Sequence, residues 1–249
     1  MLFVRGSHTG RDDEKGIRIV NNTVLEAIRG GIIISCQARP EDPTYGTDIM
    51  TAFALAAKQG GAVGIRCDGP EDITAIKEAT GLPIIGIWKR PCSDGLGHII
   101  TPTLEDAHAL AEAGADIIAI DVTDRPRPGG VDAVTLIERI CDELGVLVMG
   151  DCHDLPQAVR AQEAKADIVA TTLAFPPGLG PYEPNLPLLR QMCDTVSIPV
   201  IGEGQYWDLE DVRRAFQAGS WALVVGSAVT RPWLIAQRLV EASPRGRPT

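Results

Sequence analysis

Short apolar runs punctuate the chain at intervals of 21 to 33 residues. They read GIIIS (31–35), AVGIR (62–66), PIIGIW (83–88), DIIAID (116–121), VLVMGD (146–151), DIVATT (167–172), PVIGEG (199–204) and ALVVGSA (222–228). All are rich in Val and Ile, the pattern of strands buried on both faces and hence of a parallel sheet. Amphipathic stretches between them predict helices, for example at 48–59, 104–114 and 209–219. The stretch at 104–114 is expected to bury Leu104, Ala107, Leu110 and Ala111 and to leave Glu105, Asp106 and Glu112 in water. Gly60, Gly114 and Gly219 each follow a helical pattern directly, where a left-handed glycine ends a helix. A weak repeat of helix end, small residue and strand recurs in EAGADIIAID (112–121), EAKADIVATT (163–172) and QAGSWALVVG (217–226).

Eight such strand–helix units within 249 residues predict an α/β protein built as a single (β/α)8 TIM barrel. An open doubly wound sheet is the alternative. The barrel is expected over residues 23–242, after a polar lead-in at 1–22 and before a flexible tail at 243–249.

Charge and composition narrow the partners. With 23 Lys+Arg against 33 Asp+Glu, the net charge is −10. That removes any global attraction to nucleic acid or an anionic membrane, and 4% aromatic residues are too few for base-stacking platforms. No run approaches the roughly 20 apolar residues of a membrane span, and the opening residues lack the apolar centre of a signal peptide. Six cysteines without a CxxC pair predict reduced thiols and a cytoplasmic location. Trp221 and Trp233 fit either a homodimer interface or the core.

In barrels of this type the active site lies at the C-terminal ends of the strands. Polar residues stand at all eight ends: Gln37, Arg66, Lys89, Asp121, Asp151, Thr171 with Thr172, Glu203, and Gly226 with Ser227. Lys89 follows an apolar strand, so partial burial and a nearby cation such as Arg66 lower its pKa and suit it to proton abstraction or Schiff-base formation. A rim ion pair is its other reading. Glu203, between two glycines, is an acid or base opposite Lys89, or its ion-pair partner. Asp151 is a candidate to orient Lys89 or a substrate hydroxyl. Its neighbours Cys152, His153 and Asp154 look faintly like metal ligands, but no second cluster supports a metal. The loops EGQ (203–205) and VVGSAVTRP (224–232) carry bare backbone N–H groups beside helix starts, with Arg231 as a guanidinium fork. That is a phosphate-binding pattern.

These residues and their flanks resemble the N-acetylmannosamine-6-phosphate 2-epimerase family. The resemblance runs from about residue 30 to 242 and is carried by GGIIISCQA (30–38), GAVGIR (61–66), LPIIGIWKR (82–90), ITPT (100–103), DVTDRPRP (121–128), MGDC (149–152), TTL (171–173), PVIGEG (199–204) and VVGSAVTRP (224–232). It implies a TIM barrel of the phosphate-binding type. It also implies an isomerase that interconverts N-acetylmannosamine 6-phosphate and N-acetylglucosamine 6-phosphate in amino-sugar and sialic acid breakdown. By resemblance the catalytic lysine falls on Lys89, the catalytic glutamate on Glu203 and the supporting aspartate on Asp151. Substrate contacts fall on Gln37, Arg66 and Arg231, and Gly204, Gly226 and Ser227 complete the candidate phosphate end. No metal or nicotinamide cofactor is implied.

Three loops depart from the family pattern: Gln205 with Tyr206 and Trp207 after the EG pair, AFPPGLGPYEP at 174–184, and PCSDGLG after strand three. They bear on the sugar pocket more than on the reaction type. A Schiff-base lyase or aldolase, and a sugar-phosphate-binding barrel without turnover, are the competing readings.

Overall fold

The computed structural model describes residues 22–92, 95 and 97–246; most of the expected lead-in and the last three residues of the expected tail lie outside them. Among the described residues ten strands form: β1 (Ile32–Cys36), β2 (Gly64–Asp68), β3 (Ile84–Ile87), β4 (Lys89–Pro91), β5 (His98–Ile100), β6 (Ile117–Asp121), β7 (Leu147–Asp151), β8 (Ile168–Ala170), β9 (Val200–Glu203) and β10 (Ala222–Val225). Eight of them pair in parallel around a closed ring, β1–β2–β3–β6–β7–β8–β9–β10 and back to β1. The open-sheet alternative is therefore excluded, and each predicted apolar run supplies one stave.

The helices are α1 (Asn22–Ile28), α2 (Thr47–Gln59), α3 (Pro70–Thr80), α4 (Leu104–Glu112), α5 (Ala133–Leu144), α6 (Leu155–Glu163), α7 (Leu186–Thr195), α8 (Leu209–Gln217), α9 (Ser227–Thr230) and α10 (Pro232–Glu241). Strand side chains alternate between two buried layers. Ile33, Ile85, Ile87, Ile117, Ala119, Leu147, Met149, Ile168, Ala170, Ile201, Ala222 and Val224 fill the barrel interior. Their neighbours Ile34, Ile65, Ile84, Ile118, Val148, Val169, Val200 and Leu223 pack outward with the helices.

Leu25 and Ile28 of α1 join the interior cluster, so this short helix closes the floor of the barrel. The Trp221 indole donates to the Leu25 carbonyl at 2.9 Å, and the Arg29 guanidinium lies 4.5 Å from its ring. Trp221 is thus the joint between floor and barrel. Trp233 is half-buried on α10, whose Leu239 and Val240 are exposed.

Two expectations change, and one further element forms. Asp106 is not in water: it is 5% exposed and bonds Arg90 Nε and Nη2 at 2.9 and 2.7 Å, while the Thr103 hydroxyl donates to it at 2.9 Å. Gly60 is right-handed (φ −74), and Gly61 next to it takes the positive φ of 92. The chain after β3 makes a small antiparallel hairpin of β4 and β5, pairing Lys89 with Ile100, before α4 begins. Its fold-back is pinned at Thr101, whose N–H donates to the Trp88 carbonyl at 2.8 Å and whose hydroxyl accepts from the Trp88 N–H at 3.1 Å.

Candidate active site

The interior parity of each stave runs on into the mouth. Two residues beyond an inward apolar position stand Lys89 (after Ile85 and Ile87), Asp151 (after Leu147 and Met149), Glu203 (after Ile201), Thr172 (after Ala170) and Gly226 (after Val224). The alternation that fills the core with Ile and Leu therefore aims these polar groups at one another.

Arg66 of β2 is the hub of one side. It is 1% exposed and makes three hydrogen bonds to two carboxylates: to Asp151 at 3.0 and 2.6 Å, and to Glu203 at 2.9 Å. The Thr172 hydroxyl lies 2.5 Å from Asp151 and 3.1 Å from Glu203. The Glu203 backbone is stitched to β8 through the Thr171 hydroxyl at 2.9 and 3.0 Å. One cation thus serves two carboxylates. Burial, together with the Asp151 charge, pushes the Glu203 carboxyl up to about 7, against the opposing pull of Arg66, the Thr172 hydroxyl and Lys89.

Lys89 is held differently. Its ammonium donates to Gln37 Oε1 at 2.5 Å and stands 4.0 Å from Asp68, and its side chain keeps 34% of its surface exposed. Gln37 is fixed in turn by a bond to the Ser35 hydroxyl at 2.8 Å. The Lys89 N–H donates to Asp68 at 3.0 Å. Burial lowers the Lys89 pKa; Asp68 opposes this, while Arg66 and Arg231 reinforce it.

Lys89 and Glu203 do not touch, yet both line a cavity of about 190 Å³ together with Gln37, Gly204, Gly226, Ser227 and Arg231. Gln37, Lys89 and Arg231 also border a second cavity of about 820 Å³ that extends toward Asp68, Asp72 and Trp88. At the far end of the first cavity, a Cβ on Gly226 would come within 3.2 Å of Ser35 Cβ, and the Thr230 hydroxyl donates to the Ser35 carbonyl at 2.8 Å. The β10–α9 turn is therefore pressed onto β1, and its residues Gly226, Ser227 and Ala228 line the cavity. Pro232 opens α10 directly after Arg231.

Two residues expected at the cavity lie beneath it. Arg66 and Asp151 are buried and do not line it, and Asp151 bonds Arg66 and Thr172 rather than Lys89. The carboxylate beside Lys89 is Asp68, which is not among the predicted strand ends. It sits two residues after Arg66 on β2, so strand parity was the available signal. Asp121, the remaining polar strand end, is held within its own loop by Thr123 at 2.5 Å and Arg125 at 2.8 Å. The three residues after Asp151 also have separate engagements. Cys152 lies against the Gly150 carbonyl at 3.3 Å, His153 Nδ1 is 2.8 Å from the Leu173 carbonyl, and Asp154 caps α6.

Comparison with known proteins bears on the family and the fold. A family model described as "Putative N-acetylmannosamine-6-phosphate epimerase" matches residues 50–244. A relative from Clostridioides difficile (strain 630), named "Putative N-acetylmannosamine-6-phosphate 2-epimerase", is 42% identical over 224 residues, covering 88% of this chain and 98% of its own. The chain belongs to the N-acetylmannosamine-6-phosphate 2-epimerase family. A family relative from Synechococcus elongatus is 42% identical over 222 residues, covering 88% of this chain and 95% of its own. The solved structure of the family's enzyme from Clostridium perfringens superposes with a TM-score of 0.83 at 36% identity, covering 96% of this chain and all of that one. The thiamine phosphate pyrophosphorylase of Pyrococcus furiosus, 18% identical with a TM-score of 0.56, shares the fold alone.

Proposed function

We propose that this chain interconverts N-acetylmannosamine 6-phosphate and N-acetylglucosamine 6-phosphate by moving a proton at C2. The observation that carries the reading is the opposition of Lys89 and Glu203. Lys89 stands two residues beyond the end of β3 and Glu203 ends β9, strands that stand four steps apart in either direction around the eight-stranded ring. An amine pushed down and a carboxyl pushed up thus face one cavity from opposite sides. Both shifts move the groups toward neutral pH, where proton transfer in either direction is easiest.

In the open-chain sugar, C2 lies beside the C1 aldehyde, which acidifies its hydrogen. The neutral Lys89 amine takes the C2 proton, and the C–H electron pair moves onto the C1 oxygen as an enolate. The protonated Glu203 carboxyl then delivers a proton to C2 from the other face, and the enolate electrons return to restore the aldehyde. From the other isomer the roles exchange: ionised Glu203 takes the proton and the Lys89 ammonium gives one. Arg66 and Asp151 act as positioning residues that hold Glu203. Gln37 and Asp68 hold Lys89. Arg231, with the N–H groups of Gly204, Gly226 and Ser227, takes the 6-phosphate, so the protein's negative net charge is no obstacle to an anionic substrate.

The test is to give the protein N-acetylmannosamine 6-phosphate and follow the proton spectrum. Growth of N-acetylglucosamine 6-phosphate signals is the expected result. Thermal stabilisation without conversion would instead favour the binding barrel, and borohydride trapping of sugar on Lys89 would favour the Schiff-base lyase. Among the described residues no helix is long and apolar enough to cross a membrane. The six free cysteines support a reducing cytoplasmic setting. The exposed Leu239 and Val240 on α10 support a homodimer, which sedimentation checks.

A further inference from the structure

The loop after β9 carries a device that neither proton transfer nor the Arg231 anchor uses. Gln205 is a non-glycine residue with a positive φ of 61, directly after Gly204 with φ 108. Two consecutive residues in that region turn the chain sharply, and the Gln205 side chain lines the smaller cavity alongside Gly226, Ser227 and Arg231. Its Oε1 accepts from the Trp207 indole N–H at 3.0 Å. An indole nitrogen only donates, so this bond fixes which end of the amide is the oxygen. The Nε2 group, with two donors, is directed away from Trp207 and has no hydrogen-bond partner among the described residues.

Trp207 is itself clamped. Its ring meets Tyr182 edge-on at 5.2 Å and 83°, and the Arg238 guanidinium of α10 lies 4.8 Å from Trp207 and 4.4 Å from Tyr182. A loop and a helix of separate origin, carrying Tyr182 and Arg238, therefore fix one indole, and that indole fixes one amide. A free, oriented NH2 group beside a cationic fork and bare N–H groups suits an oxygen-rich anion.

We propose that Gln205 is a further ligand of the substrate phosphate, acting through its Nε2, and that Trp207 is the residue that positions it. The inference rests on the phosphate-anchor reading and adds a residue to it. It also gives the Tyr182–Trp207–Arg238 stack a role in the site: it sets an amide's orientation.

The test compares KM for N-acetylmannosamine 6-phosphate and the inhibition constant of inorganic phosphate across variants. Glycine is at ease at the backbone angle of Gln205, so Gln205→Gly deletes the amide without straining the loop. It is expected to raise both constants about tenfold, the loss of one hydrogen bond to a charged group, with a smaller change in kcat. Gln205→Glu, which still accepts from Trp207 but repels an anion, is expected to raise them further. Trp207→Phe keeps the ring stack and removes the N–H; its expected cost is about threefold, for an amide free to flip. In the Gln205→Gly background, Trp207→Phe should cost nothing more, because a positioning residue has nothing left to position. Wild-type constants in Gln205→Gly, or an undiminished cost of Trp207→Phe in that background, would overturn the proposal. Arg231→Gln separates the two levels. If it raises both constants while Gln205→Gly does not, the anchor stands and this inference falls; if it too changes nothing, the anchor reading has failed first.

Discussion

The two sides of the barrel mouth are built to different standards of rigidity. On the carboxylate side, Arg66 is buried and paired with both Asp151 and Glu203, and Thr172 bridges both acids. On the amine side, Lys89 keeps a third of its side chain exposed and leans on one amide oxygen and a carboxylate at 4.0 Å. The difference has a chemical use. A carboxyl whose pKa is set by burial against the pull of a shared cation must be held still, because any change in its burial or in its distance from Arg66 changes its acidity. An amine that meets a carbon acid, swings and returns needs rotamer freedom, which a flexible four-carbon stem supplies.

Removing the mobile group should have the largest effect on activity. Lys89→Met is expected to lower kcat by about three orders of magnitude, within the range for loss of a general base, while thermal stability stays near wild type. The rigid side should show the opposite balance. Arg66→Met leaves two buried carboxylates with no cation between them, and is expected to cost about 3–5 kcal/mol of stability at neutral pH, measured by urea unfolding. At low pH, where both acids are protonated, that cost should shrink.

The pH dependence sharpens the contrast because the two shifts have opposite signs. Glu203 is raised from 4.5 to about 7, so the folded protein binds its proton more tightly than the unfolded chain. Its contribution to stability is complete below pH 4.5 and is lost as pH rises through 7. Lys89 is lowered, so its linkage runs the other way. Its contribution is complete above the unfolded value of 10.5 and is lost as pH falls through the folded one. Thr172→Val removes a hydrogen bond that favours ionised Glu203. The limb of the pH–rate profile that belongs to Glu203 should move up by roughly one unit. The smallest effect is expected from Asp68→Asn, which keeps an acceptor for the Lys89 N–H but removes the charge. Solvent screens that partly exposed pair, so the Lys89 limb should move down by only about half a unit.

The same contrast separates what was legible in the chain from what was not. The eight staves and their polar ends could be read because a strand buried on both faces leaves an unmistakable apolar run, and its first polar residue marks the mouth. Lys89, Glu203 and Asp151 were found that way. Which charged groups pair was not legible: Arg66 reaches across the mouth to Asp151 and Glu203, and that depends on stave order and side-chain length. Asp68 is hidden for a different reason: Arg66 already supplies a polar end for its strand, although the two share one face. Asp106 reads as a wet helical acid until the β4–β5 hairpin, two three-residue strands too short to signal themselves, delivers Arg90 to it.

The most direct test is isotopic. In deuterium oxide, the protein should convert N-acetylmannosamine 6-phosphate into a product carrying deuterium at C2, and Lys89→Met should neither convert nor label it. Product that keeps its original C2 hydrogen, or labelling by Lys89→Met at the wild-type rate, would contradict the account.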